Sequence, residues 1–305
     1  MDSLYIRETL VQLFKQKRPD LAQSSITTYV NIVLRIQRDL GQPTDDELEA
    51  YLDKFKPTQA RNMLTPLMII YDGSQRHRRL FEKYNAAAND QLDSQRLSAS
   101  ELKNWVNKRT VRKMIKRLQE DCDTHKVFRS AASTSKWRLR QGFLVWSIHY
   151  HFPWRNILGK CRVVNDISQV DDKANYYAVR EQTFCIADFK TSKVFVRHGH
   201  ELPLKHRVPA ALAQVIAKHL RHRPESGYLF SDLIGRPLSK NAYSNLLTGT
   251  SKRYLAKRIG SSLWRHISLT DWSRITPTLK QRRDMAFLMH QVSLVTQMRY
   301  VRPEA

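Results

Sequence analysis

The chain has 305 residues, 52 Lys and Arg against 28 Asp and Glu, and a formal net charge of +24. Its length suits two domains of roughly 100–200 residues each, and a hydrophobic fraction of 41% excludes a disordered basic tail. A positive excess of this size repels itself until a polyanion neutralises it, so DNA or RNA is the expected partner, with an anionic membrane surface as the competitor.

The opening MDSLYIRETL lacks the apolar core of a signal peptide. No stretch reaches the roughly 18 apolar residues of a spanning helix. We therefore expect a soluble, intracellular protein that does not enter membranes. Residues 24–41, SSITTYVNIVLRIQRDLG, begin with Ser/Thr, place Tyr29, Ile32, Val33, Ile36 and Leu40 on one stripe, and stop at Gly. PTDDELEAYLDKF (43–55) opens on a proline and acids, which suit a helix N-terminus. PTQARNMLTPLMIIYDG (57–73) continues the helical pattern. Residues 86–104, poor in large apolar side chains, read as a linker or soft helix. The expected domains are 1–95, a helical bundle, and 96–305.

The second domain opens with a helical run over 101–121 carrying Trp105, Val111, Ile115 and Leu118 on one stripe, followed by an apolar helix over 136–152. After residue 160 the period changes. CRVVND and NYYAVREQTFCIADF (175–189) read as strands, KTSK (190–193) as a polar turn, and VFVRHGHELPL (194–204) as the returning strand of a hairpin. Helical patterns resume over 211–220, 238–260 and 262–272, and over 276–289 with Thr276 and Pro277 as cap and first turn. The expected fold class is mainly α with a small β-hairpin or sheet (α+β).

Cys122, Cys161 and Cys185 are isolated and odd in number, against a disulfide framework, and no CxxC pair suggests zinc. The histidines of RHGHELPLKHR (197–207) match no zinc module in spacing. The basic run KNWVNKRTVRKMIKR (103–117) reads as a DNA-facing stripe, with a nuclear signal as the other use of such a cluster.

Four separated spots carry chemistry. They are Arg155 in FPWRNILGKCRV, Lys190 and Lys193 in DFKTSK, Arg265 and His266 in SLWRHISLT, and His290 with Tyr300 in LMHQVSLVTQMRY. Taken singly, each has an ordinary reading. An arginine among many basic residues contacts a phosphate backbone, a turn lysine is solvated, a histidine sits at a helix end, and a tyrosine rests at a domain edge. Their order resembles that of the tyrosine recombinase, or phage integrase, family: arginine, hairpin lysine, arginine in an LRH-type motif, histidine, tyrosine. LMHQVSLVTQMRY resembles the family's G-H-S-x-x-T-x-x-Y block with one more residue between histidine and tyrosine than in many members. The lysine turn is similar to that of integrases from large DNA viruses and eukaryotic mobile elements.

The resemblance, which spans roughly residues 100–300, implies a helical N-terminal core-binding domain and a catalytic domain. It also implies site-specific breakage and rejoining of duplex DNA through a 3′-phosphotyrosyl intermediate on Tyr300, without a metal or other cofactor. Arg155 and Arg265 would clamp the non-bridging oxygens, a task for which a guanidinium fork is suited. Lys190, or Lys193 in its place, would protonate the leaving 5′-oxygen, and His290 would hydrogen-bond the phosphate. Dimers or tetramers on DNA are the expected assembly. Because VRPEA is too short for a docking helix, subunits would be coupled through another element.

Two positions depart from the family pattern. Ser262 stands where the family often has a histidine, three residues before Arg265, and Asn156, Ile157 and Leu158 replace the acid usual after the first arginine. Serine is a poor general base near pH 7. A DNA-binding protein that has lost catalysis is thus one alternative, and a type IB topoisomerase-like enzyme another. RNA binding would call for aromatic stacking motifs, which the sequence lacks.

Overall fold

The computed structural model describes residues 6–128, 133–222 and 226–303, so the first five residues of MDSLYIRETL and the last two of VRPEA lie outside it. The chain forms two compact units, Met1–Ser94 and Gln95–Ala305. The architecture is mainly α with one small mixed sheet.

The first unit holds α1 (Arg7–Lys17), α2 (Gln23–Leu40), α3 (Asp45–Leu52), α4 (Pro57–Ile70) and α5 (Gln75–Asp93). Its core gathers Leu10, Phe14, Val30, Leu52 and Leu64, all fully buried. α2 buries the stripe Ile26, Val30, Val33 and Ile36, and Gly41 ends it at φ 67°, a left-handed conformation natural to glycine. α3 starts two residues later than its proline suggested. Thr44 is the cap, accepting from the Glu47 amide while Glu47 reaches back to the Thr44 amide. The stretch expected as a linker or soft helix is helical to Asp93 and again from Ala99, with only 94–98 between.

The second unit begins with α6 (Ala99–Asn104) and α7 (Lys108–Thr124), which replace the single helix expected over 101–121. Asn107 divides them, its side chain capping α7 at the Thr110 amide. The buried stripe of α7 is therefore Val111, Met114, Leu118 and Cys122, with Trp105 outside the helix. Arg109, Arg112, Lys113, Lys116 and Arg117 stand exposed on the opposite face. α8 (Thr134–His151) is buried on nearly all sides from Trp137 to His149, which makes it the central rod of this unit.

The sheet, in order β1 (Arg162–Val164), β2 (Tyr176–Ala178), β3 (Thr183–Ile186) and β4 (Leu204–Arg207), pairs β1 and β2 in parallel and the rest antiparallel. The hairpin expected around KTSK lies elsewhere. β2 and β3 form the tight hairpin, turning through residues 179–182 with Gln182 at φ 50°. KTSK instead leads into α9 (Ser192–Arg197), a short helix inside the long β3–β4 connection, and strand structure returns only at Leu204. Lys190 thus stands at a strand-to-helix turn and not at a hairpin tip.

α10 (Ala210–Arg221), α11 (Lys240–Leu255), α12 (Ser261–Ser273), α13 (Leu279–Leu288) and α14 (Leu294–Met298) complete the unit. α13 is capped by Thr278 with Gln281, not by Thr276 and Pro277 as expected. Trp146, Trp154 and Trp264 are fully buried in the shared core. Gly159 sets the path of the segment between α8 and β1. A Cβ there would stand 2.8 Å from the Leu238 carbonyl oxygen, and backbone cannot swing aside as a side chain can. Gly159→Ala should cost about 1–3 kcal/mol, read as a lower urea midpoint. An unchanged midpoint would show that the segment shifts freely.

Among the described residues no helix is long and apolar enough to cross a membrane.

Candidate functional site: a tyrosine between two arginines

The site is built from three segments that converge on the first half of α12. Gly260 precedes that helix, and its second turn carries Trp264, Arg265 and His266. Trp264 is buried against Trp146 in an edge-on pair 5.7 Å apart, and its indole donates to the His149 carbonyl, which fixes α12 on α8. One residue on, Arg265 is turned into the protein with 2% of its surface exposed.

Its guanidinium ties the other segments together. Nη1 donates to the carbonyls of Pro153, at 3.3 Å, and Met289, at 3.1 Å. Those residues sit next to the Trp154–Arg155 pair and next to His290. Trp154 reinforces the junction by donating from Nε1 to the Leu288 carbonyl at 2.6 Å, and the His290 ring stacks on its indole at 5.4 Å. Burial lowers the Arg265 pKa to about 10, the nearby Tyr300 opposing the fall and Arg155 adding to it. The group therefore keeps its charge at neutral pH.

Tyr300 follows α14 and lies across this arginine, its ring centre 4.8 Å from the Arg265 Cζ. The Arg155 Nη2 donates to the Tyr300 hydroxyl at 3.0 Å. Among the described residues no carboxylate pairs with Arg155 or Arg265, so two guanidinium groups meet at one phenol with no anion to balance them.

The backbone of Tyr300 is held from behind. His266 Nδ1 lies 2.9 Å from the Tyr300 carbonyl, and since a carbonyl only accepts, Nδ1 carries the proton. Burial and the neighbouring Arg302 press His266 down to about 4 and keep it neutral. Its Nε2 is then free to accept from Arg302, 3.5 Å away, while Arg302 also reaches Glu101 at 3.4 Å. Arg302 donates its amide to the Thr270 hydroxyl, and Val301 is buried beside it. Val301 and Arg302 are thus packed onto α12.

His290 follows α13 in a left-handed conformation at φ 55° and is 7% exposed. Its ring is wedged between Trp154 and Phe189, the latter at 4.6 Å between centroids, and its carbonyl accepts from the Thr191 hydroxyl at 2.9 Å. Burial first, then His206 and Arg265, hold His290 well below the ordinary histidine range. Phe189 and Thr191 flank Lys190, so the turn bearing this exposed lysine is anchored to His290 from both sides. Lys193 is exposed on the first turn of α9.

Of the sequence candidates, Arg155, Arg265 and Tyr300 touch directly. His290 joins them through Met289 and Trp154, and Lys190 joins through His290. Ser262 is exposed at the start of α12. Three participants were not singled out by sequence: His206, Arg302 and Glu101. Arg302 and Glu101 meet across a separation of 201 positions, for which a single sequence carries no signal.

Among the described residues no group of three or more His, Cys, Asp or Glu is placed to hold a metal ion. His198 and His200 are exposed, whereas His206 is buried.

No family model matches the sequence, and no curated protein matches it. Among solved structures, the crystal structure of XerA recombinase is similar at 12% identity and a TM-score of 0.45, over 96% of this chain and 92% of that one.

Proposed function

We propose that the chain is a DNA strand-transfer enzyme of the tyrosine recombinase kind, with Tyr300 as nucleophile. The observation that carries this reading is the phenol of Tyr300 held between Arg155 and Arg265, neither of which pairs with a carboxylate among the described residues. Two guanidinium groups at one point make a ready seat for a phosphodiester, and the seat already contains a hydroxyl able to attack it.

In the proposed reaction the Tyr300 oxygen attacks phosphorus and its proton passes to solvent. The bond from phosphorus to the 5′-oxygen breaks, and Lys190 gives the leaving oxygen its proton. The products are a 3′-phosphotyrosyl strand and a free 5′-hydroxyl. Rejoining runs the same steps backwards, so bond energy is conserved. Arg155 donates to the phenolic oxygen before DNA arrives and, with Arg265, steadies negative charge on the non-bridging oxygens afterwards. His290 donates to the same phosphate. The exposed basic face of α7 and the +24 charge support duplex DNA as the partner.

One observation favours a second reading, a DNA-binding protein that does not cleave. The hydrogen-bond partner of the Tyr300 hydroxyl is a guanidinium, which donates and cannot accept a proton, and Ser262 is a poor base.

A covalent-trap assay decides between them. The protein is incubated in EDTA with nicked duplexes selected for binding from random DNA, then run on a denaturing gel beside a Tyr300→Phe control. A shifted band with wild type alone is the expected result, and sequencing the trapped strand gives the target site. Tight binding without a band would favour the second reading.

A further inference from the structure

His206 occupies an inward position of β4, where Leu204 and His206 are buried while Lys205 and Arg207 face out. Its ring packs edge-on to Trp154 at 5.2 Å, and its Nε2 lies 3.1 Å from the Nε2 of His290. Two nitrogens at that distance share one proton. If both carried a proton the hydrogens would collide, and if neither did two lone pairs would face each other. Burial also disfavours a charged ring, pressing His206 down to about 4.

Only two arrangements remain. In one, His290 donates from Nε2 and its Nδ1 is a bare acceptor. In the other, His206 donates and His290 carries its proton on Nδ1. Because the His290 ring is wedged between Trp154 and Phe189, it cannot turn over to exchange its nitrogens. The partner across Nε2 therefore decides what the remaining nitrogen offers.

We propose that His206 is a positioning residue for strand transfer: its Nε2–H donates to the His290 Nε2 and so holds His290 in the Nδ1–H tautomer, presenting a donor to a phosphate oxygen. The opposite tautomer would turn a lone pair toward an anion. This inference rests on the function proposed above for Tyr300.

Two readouts test it separately. In protein labelled with 15N-histidine, the His290 signals, assigned by their loss in His290→Asn, should report the Nδ1–H tautomer without any DNA. In His206→Leu they should revert to Nε2–H, and adduct formation should slow by about 10–100-fold, as for lost partners of other functional histidines. His206→Gln keeps an N–H near the same place and should restore the tautomer and most of the rate.

An Nε2–H tautomer of His290 in wild type, or one unchanged by His206→Leu in a protein with wild-type circular dichroism, overturns the proposal. Equal loss of rate in the Gln and Leu variants overturns it as well. A wild-type protein that forms no adduct would instead remove the strand-transfer reading, and the tautomer measurement would still decide the histidine pair.

Discussion

Arg265→Lys is expected to slow the proposed covalent attachment of DNA to Tyr300 by about 100-fold or more, the scale of losing one preorganised charge-stabilising donor, about 2.7–4 kcal/mol of barrier. Lysine keeps the charge, so the usual conservative argument predicts little change. The geometry says otherwise. One flat guanidinium binds the carbonyls of Pro153 and Met289 along one edge while lying under the Tyr300 ring. An ammonium is a point charge and cannot fill both tasks in a site that is 2% exposed. Arg155 and His290 are each held next to one of those carbonyls, so the loss spreads to both.

Binding of DNA should fall far less than the rate, because most affinity comes from many phosphate contacts elsewhere. Single-turnover rates and dissociation constants measured at one salt concentration separate the two. A rate within about threefold of wild type would show that Arg265 serves only to pack the core.

The sequence made the long helices legible where an apolar stripe met a clear stop, as in the helix ending at Gly41. It failed where short elements share one composition. Residues 175–189 read as one strand because the turn that divides them, VREQ, contains no Gly, Pro or Asn to mark it. The left-handed φ of Gln182 makes that turn without advertising it. KTSK looked like a turn because it is polar, yet its serine and the following valine and phenylalanine start a helix. Asn107 broke a predicted helix by capping the next one, a role that a stripe of hydrophobics does not display.

The site shows the same division. Arg155, Arg265, His290 and Tyr300 were singled out by their order along the chain, and in the structure they lie close together. His206 was passed over because it lies in a cluster of exposed histidines and basic residues, and only the alternation of β4 turns it inward. The clasp of Glu101, His266 and Arg302 behind Tyr300 joins residues from opposite ends of the unit, and Glu101 and Arg302 taken alone read as solvated charges.

The second large effect is on stability, and its sign is set by these buried histidines. Burial, with Arg265 adding to it, lowers His149 to about 3, and burial lowers His206 to about 4. In the unfolded chain both return to about 6.5. Below that pH the unfolded state binds protons that the folded state refuses, so their contribution is complete above about 6.5 and is lost as pH falls toward 4. Between pH 7 and 5 each costs about 2 kcal/mol, together about 4, a large share of the 5–15 typical of a domain.

His266 and His290 are depressed in the same direction and steepen the fall. Carboxylates such as Asp166, held low by hydrogen bonds from Ser168, act only at lower pH. The readout is built into the sequence, since all six tryptophans lie within residues 95–305 and their fluorescence follows that unit alone. Urea midpoints should drop steeply from pH 7 to 5, and less so in His149→Leu. A midpoint that held to pH 5 and failed only below 4 would assign acid sensitivity to carboxylates, and would mean that these rings are protonated in place and face water or an anion.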